Sequence, residues 1–317
     1  MQRFPFLPSA LSAFPVFGAG LGWLALLEIP LLLRTSLSPV AAPLIWLVGL
    51  AALGVLGWGL GSGAGIPGAE QRDDANLIAT RGPGPVRRWI VAHVDTKAQG
   101  HSMAGRLGAI WVILATILGG SLLVGWRMAV PGLPTAPVAG FAGMSLAAGL
   151  LARRGRLRGT TAGARDNGTG LLAALVAADG ATDPEIGFLF TGAEEFGLVG
   201  ARIAAAGGLA APGSEVVNLD TLDQVGPLFL VHHGGPGQAL AESLRPAVQE
   251  IARETRIRRL PLGILTDSLP FARRGTPAVT IGRLDWSTLR LIHTAQDTGE
   301  GLDLATAEAV GRVLARR

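Results

Sequence analysis

Four long apolar runs dominate the first half of the chain: residues 17–33, broken only by Glu28, then 43–60, 107–126 and 128–152. A membrane-spanning helix needs about 20 mostly apolar residues, so each run is a candidate span and the third meets the requirement outright. The first two pair into a hairpin across the short turn at 34–42, and the second two across the proline-rich turn at 131–137. Their interiors are rich in glycine and alanine, which let helices approach closely in lipid. Any one run alone reads better as the core helix of a soluble enzyme, but four in two hairpins do not. A cleaved signal peptide fits poorly, because the apolar run after residue 10 contains Glu28 and Pro30 with no small-residue cleavage site.

Outside these runs the pattern changes. Short apolar or β-branched stretches at 89–93, 186–191, 215–219, 228–232 and 278–281, bounded by Gly, Pro or Asp, predict strands. Helix-period apolar positions at 168–178, 198–206, 238–254 and 302–316 predict helices between them. The alternation predicts an α/β sheet covered by helices. The expected organisation is an N-terminal transmembrane hairpin at 1–65 and a sheet domain at 66–317, interrupted by a second hairpin at 104–152.

Composition supports contact with lipid: 49% of residues are hydrophobic and 16% charged, where soluble domains carry roughly 25% charge. Two hairpins put both chain ends on one side of the bilayer. Arg3, Arg106, Arg153, Arg154, Arg156 and Arg158 flank that side, against Arg34 and Arg127 in the opposite turns, which predicts a cytoplasmic sheet domain on a bacterial-type inner membrane. The 27 basic residues are nearly all arginine and are spread along the chain; with no tyrosine to build stacking platforms, nucleic acid is not expected as a partner. A transporter is disfavoured because Glu28 is the one acidic residue in the spans. There is no cysteine, so any metal must rest on His, Asp and Glu.

Five segments carry such residues, most of them at predicted strand ends, where α/β sheets place ligands. His93 closes the 89–93 strand, with Asp95 two positions on, able to fix the ring from behind; a buried structural histidine is the plain alternative. Asp166 lies in Ala-Arg-Asp-Asn-Gly-Thr-Gly ahead of a helix, as an ordinary cap or as a carboxylate bridging two cations. Glu194 and Glu195 adjoin each other directly after a strand. Their repulsion is costly unless a cation or a shared proton relieves it, so one can bind metal while the other takes a proton from water. Asp220 ends another strand, and His293 begins His-Thr-Ala-Gln-Asp-Thr.

Taken in order, His93-x-Asp95, Asp166-Asn-Gly-Thr-Gly, Glu194-Glu195-x-Gly-Leu-x-Gly, Asn218-Leu-Asp220 and Ile292-His293-Thr-x-x-Asp297-Thr resemble the M28 family of zinc aminopeptidases. The loop Thr266-Asp-Ser-Leu-Pro-Phe271 adds to the resemblance, which spans most of 88–317. It implies a mixed, largely parallel sheet flanked by helices, two Zn2+ ions, and a peptide substrate cleaved at its N-terminal bond. By the same resemblance His93 and Asp220 hold different ions, Asp166 bridges them, and Glu195 and His293 complete the two sites. Glu194 is the implied general base and Asp95 the residue orienting His93.

Two features depart from the family. Seventy-three positions separate His93 from Asp166, filled by the second apolar hairpin. Ile292 stands where some members carry an oxyanion-stabilising tyrosine, leaving Arg283, His232 or His233 as substitutes. Similar M20 enzymes insert a lid domain between later ligands, for which the span from 220 to 293 leaves little room, and the related glutaminyl cyclases use one zinc. The remaining alternative is a catalytically inactive membrane scaffold that keeps the fold to bind peptides or assemble partners.

Overall fold

The structure is a computed structural model; it describes residues 1–61, 70–252, 254–261 and 263–316. The expected boundary at 65/66 and position 253 of the expected 238–254 helix lie outside the described residues. Chain contacts divide the molecule into two units: Pro8–Glu70 with Gln99–Arg158, and Met1–Leu7 with Gln71–Ala98 and Gly159–Arg317.

The first unit is a bundle of four helices: α1 (Ala13–Leu33), α2 (Ala41–Gly61), α3 (Met103–Ala129) and α4 (Thr135–Arg153). All four are long and apolar enough to cross a membrane. Large apolar side chains point outward, among them Trp23, Leu47, Trp58, Trp111, Leu118 and Leu146. Small residues and polar anchors are turned inward, the arrangement expected where the solvent is lipid. A Cβ added at Gly18 would stand 2.2 Å from the Ala152 methyl, so α1 and α4 meet where neither can carry bulk. Glu28 is fully buried inside the bundle. Arg127 is also buried and donates to the carbonyls of Leu31 (3.0 Å), Val130 (3.1 Å), Arg34 (3.2 Å) and Leu37 (2.7 Å). It thereby satisfies carbonyls at the C-terminal ends of α1 and α3 and, at Leu37, one in the turn after α1.

The second unit is built on an eight-stranded sheet. Its strands are β1 (Gln2–Phe6), β2 (Arg72–Thr80), β3 (Arg88–His93), β4 (Ile186–Thr191), β5 (Glu215–Leu222), β6 (Leu228–His232), β7 (Thr255–Arg259) and β8 (Ala278–Arg283). The order across the sheet is β1-β2-β4-β3-β5-β8-β6-β7, and β4, β3, β5 and β8 run parallel. Both faces are covered, as a parallel centre requires. On one face Ile90, Val217, Val279 and Ile281 pack against α5 (Gly170–Gly180), α7 (Gly235–Gln249) and α10 (Ala305–Ala315). On the other, Trp89, Val91 and Leu189 pack with α6 (Val199–Ala206) and α8 (Ser268–Ala272). A short α9 (Trp286–Leu291), capped by Asp285, leads to His293.

All five expected strands form, and three more join them. β7 takes residues just beyond the expected 238–254 helix, which ends as α7 at Gln249. The parallel strands read clearly from the sequence because burial on both faces makes them continuous apolar runs.

Candidate metal centre

The switch between β3 and its two parallel neighbours places three functional segments side by side. His93 is the last residue of β3, Glu194 and Glu195 follow β4, and Asp220 lies near the end of β5. Pairing between β5 and β8 shifts register between Leu219 and Leu222, and the irregularity re-aims the chain at Asp220. Asp166 comes from the turn Ala164–Thr169 ahead of α5, and His293 from the loop after α9.

These segments are pinned by hydrogen bonds. The two oxygens of Asp297 accept the backbone N–H groups of Arg165 (2.8 Å) and Asp166 (3.1 Å). The Asn167 side chain donates to the Leu219 carbonyl (2.9 Å) and accepts from the N–H groups of Thr221 (3.1 Å) and Gly170 (3.2 Å), which staples the Asp166 turn to the end of β5. A Cβ at Gly170 would lie 2.2 Å from Asn167 Oδ1 and 2.5 Å from the Leu219 carbonyl oxygen. Gly170→Ala is therefore expected to lower stability by about 1–3 kcal/mol, the usual penalty for overpacking, and thermal unfolding measures it. Backbone strain also collects here. Among the described residues Ala193, Leu198, Thr221 and His293 are the non-glycine residues at positive φ, and all four lie within three positions of an expected ligand.

Asp166 stands at the centre. Its Oδ1 is 3.3 Å from His93 Nε2 and its Oδ2 is 3.1 Å from His293 Nε2, so the two oxygens face different imidazoles. Two sets of donor atoms lie within 4.8 Å of one another: His93, Asp166 and Asp220, and Asp166, Glu195 and His293. All five expected ligand positions thus converge, but the grouping corrects the expectation that His93 and Asp220 serve different ions. They fall in one trio because β3 and β5 are adjacent parallel strands, whose ends deliver both side chains to one place.

Asp95 holds its surroundings differently from the expectation. Its carboxylate is 3.8 Å from His93 Nδ1, while its own carbonyl oxygen is 3.0 Å away. The carboxylate instead accepts the N–H groups of Glu194 (3.0 Å) and Glu195 (3.1 Å) and locks the turn that carries the glutamate pair. Of the residues considered in place of a tyrosine, Arg283 donates to the Gly226 carbonyl (3.1 Å) and Thr306 (2.6 Å), and His233 is bonded to Ser268 Oγ (2.7 Å).

Two buried residues of the site are absent from the expected set. Asp267 on the loop before α8 accepts from Thr191 and interacts electrostatically with His93, Asp95 and Asp220. Lys97 pairs with Glu195 Oε2 and donates to the Glu195 carbonyl oxygen at 3.4 Å. A signal for Lys97 is present in the sequence: it is the one lysine of the chain, two residues after Asp95.

Electrostatics follow from crowding. Burial, reinforced by Glu195, Asp267 and Asp220, pushes Glu194 well above the usual carboxylate range against the pull of His93. Burial raises Asp220 to about 6, with Asp166 adding to the effect. It raises Asp95 to about 6 and Asp267 to about 7, in both cases against His93. For Asp166 burial is outweighed by hydrogen bonds and charge from His293 and His93, which hold it far below its usual value. For Glu195 burial is outweighed by Lys97 and His293, which bring it down to about 2. Burial lowers both imidazoles, but the surrounding carboxylates outweigh it and raise them. Six carboxylates thus face one lysine and two imidazoles, an excess of negative charge that divalent cations offset. The donor set is imidazole nitrogen and carboxylate oxygen, and Glu195 Oε1 is buried without a hydrogen-bond partner; the residues fit a metal of the zinc type.

A mixed, largely parallel sheet whose strand ends and neighbouring loops bring together two trios sharing one aspartate defines the chain as an α/β protein with a metal-type centre. The chain belongs to peptidase family M28, whose sequence model matches residues 149–316. His93, Asp95 and Lys97 lie upstream of the matched segment. No curated protein matches the chain. Among solved structures it is similar to the LapA aminopeptidase of Legionella pneumophila, at 16% identity over 76% of this chain and 54% of that one, with a TM-score of 0.48. It is also similar to an aminopeptidase from Aneurinibacillus sp. strain AM-1, at 15% identity, 78% and 48% coverage and a TM-score of 0.47. A third is BSAP, a zinc aminopeptidase from Bacillus subtilis, at 19% identity, 78% and 51% coverage and a TM-score of 0.46. The chain spans about half the length of these three structures.

Proposed function

We propose that the chain is a membrane-anchored metallopeptidase that removes residues from the N-terminus of peptides and holds two zinc ions, one in each trio. The single observation that carries this reading is Asp166, whose two oxygens face His93 Nε2 and His293 Nε2 separately. His93 and Asp220 hold one cation, Glu195 and His293 the other, and Asp166 is shared between them. When bound, such ions supply Lewis acidity toward a substrate carbonyl and toward water.

The chain's own residues do the rest. Glu194 lies beside both trios without belonging to either, so its carboxylate takes a proton from the attacking water and delivers it to the leaving amine. Burial and its carboxylate neighbours raise Glu194 well above the usual carboxylate range, and bound cations would oppose that rise. Asp95 holds Glu194 in place through the backbone. Asp267 Oδ1, buried without a hydrogen-bond partner, suits a free substrate amine, which favours action at the peptide end.

The outward apolar side chains of the four helices support anchoring in a bilayer. Arg127 is drawn into helix-end carbonyls, so of the two arginines counted in the turns between paired helices Arg34 alone is left for lipid headgroups. This supports reading the charge asymmetry as favouring a cytoplasmic sheet unit.

The test is hydrolysis of aminoacyl-arylamides by the purified full chain in detergent, with and without a chelator. Activity abolished by chelation and restored by zinc supports the reading, whereas no activity at any zinc concentration favours an inactive scaffold.

A further inference from the structure

Lys97 is the one lysine among 27 basic residues and it is buried at the centre just described. A chain that uses arginine everywhere else places here a compact point charge on a flexible stem, where a guanidinium fork would need several acceptors arranged in a plane. Its ammonium pairs with Glu195 Oε2, the same oxygen that lies 3.5 Å from His293 Nε2. That oxygen and that nitrogen are donors a cation in the second trio would take. The first trio is free of this competition: among the described residues no ammonium or guanidinium pairs with His93, Asp166 or Asp220.

We infer that Lys97 occupies the charge position of the second cation, so that the centre holds one zinc tightly at His93, Asp166 and Asp220 and a second more weakly at Asp166, Glu195 and His293, where the Lys97 ammonium competes for Glu195 Oε2, the oxygen that faces His293. The inference rests on the proposed two-cation function and sets how that function is regulated. An ion that takes Glu195 Oε2 beside His293 breaks a buried ion pair and meets a buried ammonium, both of which oppose binding. Zinc availability then controls the site: at low zinc one ion is bound and Lys97 neutralises Glu195, and at higher zinc the pair is complete. Lys97 is a positioning residue in this scheme, since it touches a ligand and no reacting atom.

Two measurements on the chelator-stripped full chain test it. In calorimetric titration with Zn2+ alone, the wild type is expected to bind one ion tightly and a second about 10–100-fold more weakly, the scale on which neighbours of a ligand alter metal affinity. In Lys97→Met, which keeps the length of the side chain without its charge, the gap between the two steps is expected to close. Two equally tight ions in the wild type, or an unchanged gap in the variant, overturn the inference and leave the peptidase reading standing. Binding of no zinc by either protein overturns both. The second measurement needs no variant: a chain labelled with 13C at lysine Cε gives one lysine resonance. That resonance is expected to hold near its position through the first zinc equivalent and to move with the second. A resonance that completes its shift with the first equivalent, or never shifts, contradicts displacement of Lys97.

Discussion

Asp166→Asn is expected to abolish most of the zinc-dependent stabilisation of the protein while leaving its fold intact. The amide keeps the size of the carboxylate and one carbonyl oxygen, so the Ala164–Thr169 turn, held through its backbone by Asp297, has no reason to move. What is lost is a negative charge and the second oxygen, and with it the simultaneous reach toward His93 Nε2 and His293 Nε2. With zinc at 100 times the dissociation constant, a bound ion stabilises the wild type by about 2.7 kcal/mol. If the substitution weakens zinc at least ~100-fold, beyond the usual effect of neighbouring residues, the same zinc concentration supplies at most about 0.4 kcal/mol. Thermal unfolding with and without zinc reads the difference. An unaltered zinc response would show that Asp166 is a structural turn residue.

Glu194→Gln is expected to separate chemistry from metal binding. Glu194 lies outside both donor trios, and its backbone N–H rather than its side chain is what Asp95 holds, so the substituted chain should bind zinc as the wild type does. The amide cannot take a proton from water. Loss of a general base costs about 10²–10⁴-fold, so kcat should fall by that factor with KM little changed. A matching loss of zinc would instead assign Glu194 to the ligands, and an unchanged kcat would remove it from the reaction.

The legible and illegible parts of this chain divide along physical lines. β3, β4, β5 and β8 announce themselves because a parallel strand buried on both faces is rich in apolar residues on both of its faces. β1 contains Pro5, which an edge strand tolerates because it need not donate there, and the sequence Gln-Arg-Phe-Pro-Phe therefore lacks a strand's usual signature. β7 at the other edge is Thr-Arg-Ile-Arg-Arg, with one apolar side chain, so nothing beyond the expected 238–254 helix marks it as a strand. The chemistry-bearing positions were readable as motifs, but their grouping into two donor trios was not. That division depends on which strands are neighbours, and the order β4-β3-β5 puts His93 beside Asp220. The grip of Asp95 on the Glu194–Glu195 turn was also hidden, because a two-residue spacing from His93 says nothing of which backbone the carboxylate meets. Lys97 escaped notice because a lone lysine near acidic residues usually sits on a solvated surface.

The most direct test of the central claim is anomalous X-ray diffraction at the zinc edge from crystals of the full chain grown with zinc. A peak about 2.0–2.2 Å from His93 Nε2 and from carboxylate oxygens of Asp166 and Asp220 is the predicted result, with a second peak near Glu195 and His293 as zinc is raised. A zinc-loaded crystal with no peak between these residues, or with zinc bound elsewhere, would contradict it.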